Sequence, residues 1–131
     1  MAFVITVAQR KGGAGKTTLA SQLVSAFLAE GRTVTGIDLD EQKSFSMWAD
    51  LRRRRVGPEP AFALETSTSL YGLAAALKQR GRDIVVIDTA PSIDQPVQRA
   101  IRLADLVVTP IQLSPIDLAA SLPTAQAVGA A

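Results

Sequence analysis

Neither cysteine nor histidine occurs anywhere in these 131 residues. Their joint absence removes thiol nucleophiles, Ser-His catalysis, Cys/His zinc sites and disulfides in one step. A chain without thiols fits a reducing cytoplasm. Aromatic residues are scarce, at 5%, and net charge is low, at +2, so bulk attraction to nucleic acid or to an anionic membrane is small and any such binding must come from a local patch. No apolar run approaches the roughly 20 residues that a membrane-spanning helix needs. The first apolar stretch lacks a basic lead-in and runs straight into a glycine loop, so it does not read as a secretory signal. Internal repeats and low-complexity tracts are missing as well. What remains is 47% hydrophobic, enough for one cored domain over residues 1–131.

The chain is organised around Arg10-Lys11-Gly12-Gly13-Ala14-Gly15-Lys16-Thr17-Thr18. Before it, Ala2 to Ala8 is β-branched and uncharged, the pattern of a strand buried on both faces. After it, Leu19, Leu23 and Phe27 recur at helical spacing from Lys16 to Glu30, and Gly31 supplies a stop. A strand, a glycine loop and a helix N-terminus in that order turn backbone N–H groups and a partial positive charge toward one point, which suits polyphosphate. The pattern G-x-x-x-x-G-K-[ST] puts the lysine, here Lys16, on the β- and γ-phosphates and the hydroxyl, here Thr17, on Mg²⁺. Its first glycine position is Arg10, so the strict pattern fails while Gly15-Lys16-Thr17 is kept.

Further along, Thr33–Ile37 reads as a strand whose end carries Asp38 and Asp40. Carboxylates at the C-terminal edge of an open α/β sheet are candidates for metal, water or ribose contacts, and equally for capping the next helix. That helix is expected over Ser44–Val56, with Phe45, Trp48 and Leu51 inward. It ends in Arg52-Arg53-Arg54-Arg55, a run that suits either a helix C-terminus or a nucleic-acid contact. Gly57-Pro58-Glu59-Pro60 breaks it, and a strand at Ala61–Glu65 and a helix at Ser69–Arg80 follow, the latter stopped by Gly81. Ile84 to Ile87 is wholly apolar and meets its first acid at Asp88, a Walker B pattern that places a carboxylate on Mg²⁺ opposite the Thr17 hydroxyl. A helix opened by Asp94 and Pro96, a strand Leu106–Ile111 and a helix start at Ser114-Pro115-Ile116-Asp117 complete the pattern. Pro123 breaks or restarts that last helix.

Lys11-Gly12-Gly13-Ala14-Gly15-Lys16-Thr17-Thr18 resembles the deviant Walker A motif of the ParA/MinD ATPases, which position plasmids, chromosomes and large protein assemblies in bacteria. Asp38-Leu39-Asp40-Glu41-Gln42 is similar to the family's Asp-x-Asp-Pro-Gln motif, with Glu41 where proline is usual. The resemblance implies a P-loop NTPase three-layer sandwich, an α/β fold with a mostly parallel central sheet and helices on both faces. It implies ATP and Mg²⁺ as ligands, weak ATPase turnover, phosphate contacts from Lys11 through Thr18, a metal shell from Thr17, Asp38 and Asp88, and a water oriented by Asp40. Lys11 would reach the nucleotide of the second subunit in an ATP-dependent homodimer. A partner protein that stimulates hydrolysis and non-specific DNA contact follow from the same likeness, while a cytoplasmic, membrane-free location is expected from the missing cysteines and the short apolar runs. Iron–sulfur relatives are set aside, since they need cysteine at the dimer seam. Family members usually continue for about three more strands, so the chain reads as shortened. Two other functions stay open: a nucleotide-gated binding module or inactive fragment without turnover, and an NAD-binding oxidoreductase built on Gly13-x-Gly15 and Asp38.

Overall fold

The computed structural model describes residues 2–8, 15–66, 70–80, 83–92, 94–110 and 123–129. Within them strands and helices alternate: β1 (Phe3–Val7), α1 (Lys16–Ala29), β2 (Val34–Asp38), α2 (Ser44–Val56), β3 (Phe62–Thr66), α3 (Leu70–Arg80), β4 (Ile84–Asp88), α4 (Gln95–Leu103) and β5 (Leu106–Val108). A further helical stretch covers 123–129; the residues before Pro123 that would decide whether it breaks or restarts a helix lie outside the described ones. The five strands form one sheet in the order β3-β2-β4-β1-β5, and every pairing is parallel.

Strand parity sorts the core into two layers. Ile5, Val7, Val34, Ile84 and Val86 point to one face, where Ala20 and Val24 of α1 and Phe45 of α2 cover them. Val4, Ile37, Val85 and Ile87 point to the other, under Leu73 of α3 and Ala100 of α4. Strands covered on both sides have no solvent face to keep polar, and this is why β1 and β4 are apolar rather than alternating. The helices on both faces make a three-layer α/β sandwich.

Three local features depart from the sequence reading. Leu51 is 63% exposed, not inward; the buried side of α2 runs through Phe45 and Ala49, with Arg52 taking the place expected of Leu51. That guanidinium lies 5.8 Å from the Trp48 ring centre and grips Glu59 through two nitrogens, at 2.6 and 3.0 Å. The hydrogen bonds to Glu59 hold Arg52 above its ordinary pKa, against the opposing effect of burial. The first of the four arginines is thus a packing residue, while Arg53 to Arg55 are exposed. Finally, β5 stops at Val108 instead of Ile111, because Pro110 has no N–H to extend a ladder. Gly81 and the helix start at Ser114–Asp117 lie outside the described residues.

Gly36 shows how α2 is seated. A Cβ at this position would stand 2.8 Å from Leu64 Cδ1 and 2.9 Å from Phe45 Cζ. The bare backbone of β2 is therefore what admits the Phe45 ring, and with it the first turn of α2, onto the sheet.

Candidate nucleotide site

Position on the sheet decides the site. β2 and β4 are neighbours, and their last residues, Asp38 and Asp88, are register partners at the C-terminal edge. Parity turns both toward the face that carries α1 and α2, since Val34 and Ile84 on that face are four residues earlier in each strand. Both acids are fully buried, a costly state for a carboxylate without hydrogen-bond donors.

Their donors differ. The Thr17 hydroxyl donates to Asp88 Oδ2 at 2.8 Å, bridging residues 71 apart in sequence. Asp38 instead serves the loop that follows it. Its Oδ1 accepts from the Asp40 backbone N–H at 3.0 Å, and its Oδ2 accepts from both the N–H and the hydroxyl of Ser46, at 2.9 and 2.7 Å. Three of about four acceptor positions on that carboxylate are so occupied. The edges of the two strands are also tied by backbone, Leu39 N–H to the Asp88 carbonyl at 2.9 Å.

Helix α1 begins beside Asp88. Gly15, at its N-cap, has φ 90° and ψ 16°, a left-handed conformation that glycine adopts without the Cβ penalty. Among the described residues no side chain caps this helix start, and no acid lies in its first turn. The first N–H groups of any helix lack an intrahelical partner, and the positive end of the helix dipole lies at the same place. Lys16 opens α1 and Thr18 is exposed in its first turn. Lys11, Gly12, Gly13 and Ala14 lie outside the described residues.

Asp40 is half-buried, accepts the Gln42 N–H on Oδ1 at 3.1 Å, and borders a cleft of about 340 Å³ shared with Glu41, Pro91 and Asp94. Asp94 caps α4 through the Val97 N–H at 3.2 Å, as its sequence context predicts. A larger cleft, about 540 Å³, lies between α2 and β3; none of the predicted site residues lines it. The structure therefore brings Gly15, Thr17, Asp38, Asp40 and Asp88 to one edge. Sequence reasoning missed Ser46 and Gly36. A glycine inside a strand pattern signals close backbone approach, so Gly36 was findable, whereas nothing at Ser46 announces its partner.

The strand order separates two of the open readings. A dinucleotide-binding domain places β1 next to β2, in the order 3-2-1-4-5. Here β4 stands between β2 and β1, and Asp38, the residue that would meet a ribose, is buried against Ser46. The oxidoreductase reading loses its support on both counts.

Comparison with known proteins agrees with the topology. The family model of the VirC1 protein matches residues 1–129. Over 122 residues the chain is 35% identical to the maintenance of carboxysome distribution protein A of Gloeobacter kilaueensis, covering 92% of this chain and 54% of that protein. It is 31% identical over 134 residues to the chromosome-partitioning ATPase Soj of Thermus thermophilus, covering 82% of this chain and 54% of that one. The chain thus spans about half the length of these relatives. A plasmid partition protein from Borrelia burgdorferi, crystallised with AMPPNP, shares the fold with a TM-score of 0.78 at 20% identity, over 99% of this chain and 69% of that one. With its parallel sheet, its glycine-led α1 and its matched sequence, the chain belongs to the VirC1 family of ParA-like proteins.

Proposed function

We propose that this chain binds ATP with Mg²⁺ at the edge formed by Gly15, Thr17 and Asp88, hydrolyses it slowly, and dimerises around it as a switch that positions plasmid, chromosome or protein cargo. The observation that carries this reading is the 2.8 Å contact from Thr17 to Asp88, which closes a glycine-led helix start onto a buried acid. Those oxygens suit a hard divalent cation, which when bound would neutralise charge developing on the phosphates. Lys16 and the amides from Lys11 to Thr18 hold the phosphates of the subunit's own nucleotide. Asp38 supports the metal shell from the loop behind it, since most of its acceptor positions are already used. Asp40, tied through its N–H to Asp38 at the same sheet edge, orients the attacking water. Lys11 crosses to the nucleotide of the second subunit, and a cation supplied in trans to phosphoryl transfer contributes ~10³–10⁵ in rate.

Cargo, a stimulating partner protein, non-specific DNA contact and a cytoplasmic location belong to the same proposal and rest on likeness to the relatives. Among the described residues no helix is long and apolar enough to cross a membrane.

Calorimetric titration with ATP–Mg²⁺ and with NADH tests ligand choice, and light scattering with a non-hydrolysable ATP analogue tests assembly. Lys16→Ala is expected to weaken ATP binding by roughly 1.5–3 kcal/mol, the worth of a charge-assisted contact. An affinity within threefold of the parent would remove the phosphate-loop assignment. Binding without turnover would leave a nucleotide-gated module.

A further inference from the structure

The start of α2 lacks a cap of its own. Its N-cap residue is Lys43, left-handed at φ 58°, and its side chain accepts nothing from the helix. The N–H of Ser46, third in the helix, must find an acceptor elsewhere, and it finds Asp38 on β2. The Ser46 hydroxyl adds a second bond to the same oxygen. The other oxygen of that carboxylate holds the Asp40 N–H. One buried planar group thus links the first turn of α2 to the acid read as orienting water.

Torsion about the last bond of an aspartate is broad when a single donor restrains it. Two donors on Oδ2, one fixed by the helix backbone and one by a short side chain, set the carboxylate plane and so the position of Oδ1. Because Leu39 is pinned to the Asp88 carbonyl, the peptide leading into Asp40 moves only as Asp38 allows. The hydrogen bond that the Asp40 carboxylate accepts among the described residues goes to Oδ1, and the residue borders the 340 Å³ cleft.

On these grounds, and resting on the ATPase reading above, we propose that Ser46 is a positioning residue for Asp40, acting through the Asp38 carboxylate. A helix cap alone would affect stability and leave hydrolysis unchanged. A positioning residue changes hydrolysis, and only while Asp40 is present.

The test is single-turnover ATP hydrolysis by the parent chain, Ser46→Ala, Ser46→Thr, Asp40→Ala and the Ser46→Ala/Asp40→Ala double variant, with ATP–Mg²⁺ affinity and denaturation midpoint measured for each. Ser46→Ala keeps the backbone bond and loses the hydroxyl; it is expected to slow hydrolysis about tenfold, with affinity within about threefold of the parent. Ser46→Thr restores the rate, and the double variant is no slower than Asp40→Ala alone. A parental rate in Ser46→Ala, or a further tenfold loss on top of Asp40→Ala, overturns the positioning role and leaves the ATPase reading standing. A parent that binds ATP–Mg²⁺ without hydrolysing it overturns the ATPase reading first, and the positioning role falls with it.

Discussion

Two strands, β2 and β4, end in aspartates that are register partners, equally buried and turned to the same face, yet the two acids are put to different work. Asp88 meets a hydroxyl from the start of α1, 71 residues away, so its environment exists only in the folded sheet. Asp38 meets donors from its own loop and from α2, two and eight residues on. An acid after a parallel strand is thus not one kind of feature. Strand end and burial are common to both, and what separates them is whether the next helix passes close enough to consume the carboxylate.

The comparison breaks most severely at Asp38. Asp38→Ala removes three hydrogen bonds to a buried carboxylate and leaves the N–H groups of Asp40 and Ser46 unpaired, so unfolding stability is expected to fall by about 3 kcal/mol, read from denaturant midpoints. Should the loss be below ~1 kcal/mol, the loop does not depend on Asp38. Asp88→Asn is the mirror case: it keeps an acceptor for Thr17 and the side-chain shape, so stability changes by less than about 1 kcal/mol. Its ATP–Mg²⁺ affinity, measured by calorimetry, is expected to drop ~10²-fold, or about 2.7 kcal/mol. Equal stability losses in the two variants would erase the distinction. The mildest probe is Gly36→Ala, which crowds Leu64 and Phe45 and tilts α2 away from Asp38; overpacking of this kind costs about 2 kcal/mol. If hydrogen exchange at the Ser46 and Asp40 amides stays at parental protection in this variant, the seating of Phe45 does not control the Asp38 link.

Much of the framework was legible in advance because its signals are local. Four of the five strands, to within one residue at each end, and the bounds of α2 follow from apolar runs, glycine stops and the break at Gly57-Pro58. Asp94 was readable as a cap because a cap and its N–H lie within one turn. Leu51 misled because helical periodicity ranks residues by side-chain type. Arg52 competes for the inward position by laying its stem along Trp48 and delivering its charge to Glu59, which no count of apolar residues anticipates. Only three residues of β5 pair, because an edge strand followed by proline has no further donor to offer.

By itself the sequence determined the alternation of strands and helices, the glycine loop ahead of α1 and the placing of acids at strand ends, since each depends on neighbours within about a turn or a strand. The tertiary structure decided the rest. Inserting β4 between β2 and β1 brings Asp88 beside Asp38 and separates this fold from a dinucleotide-binding one. Bringing α1 over that edge gives Thr17 its acid, and the bare backbone at Gly36 lowers α2 until Ser46 reaches Asp38. These contacts join elements through the packing of a sheet, and hydrogen bonds of 2.7 to 3.0 Å form only where that packing sets the distance.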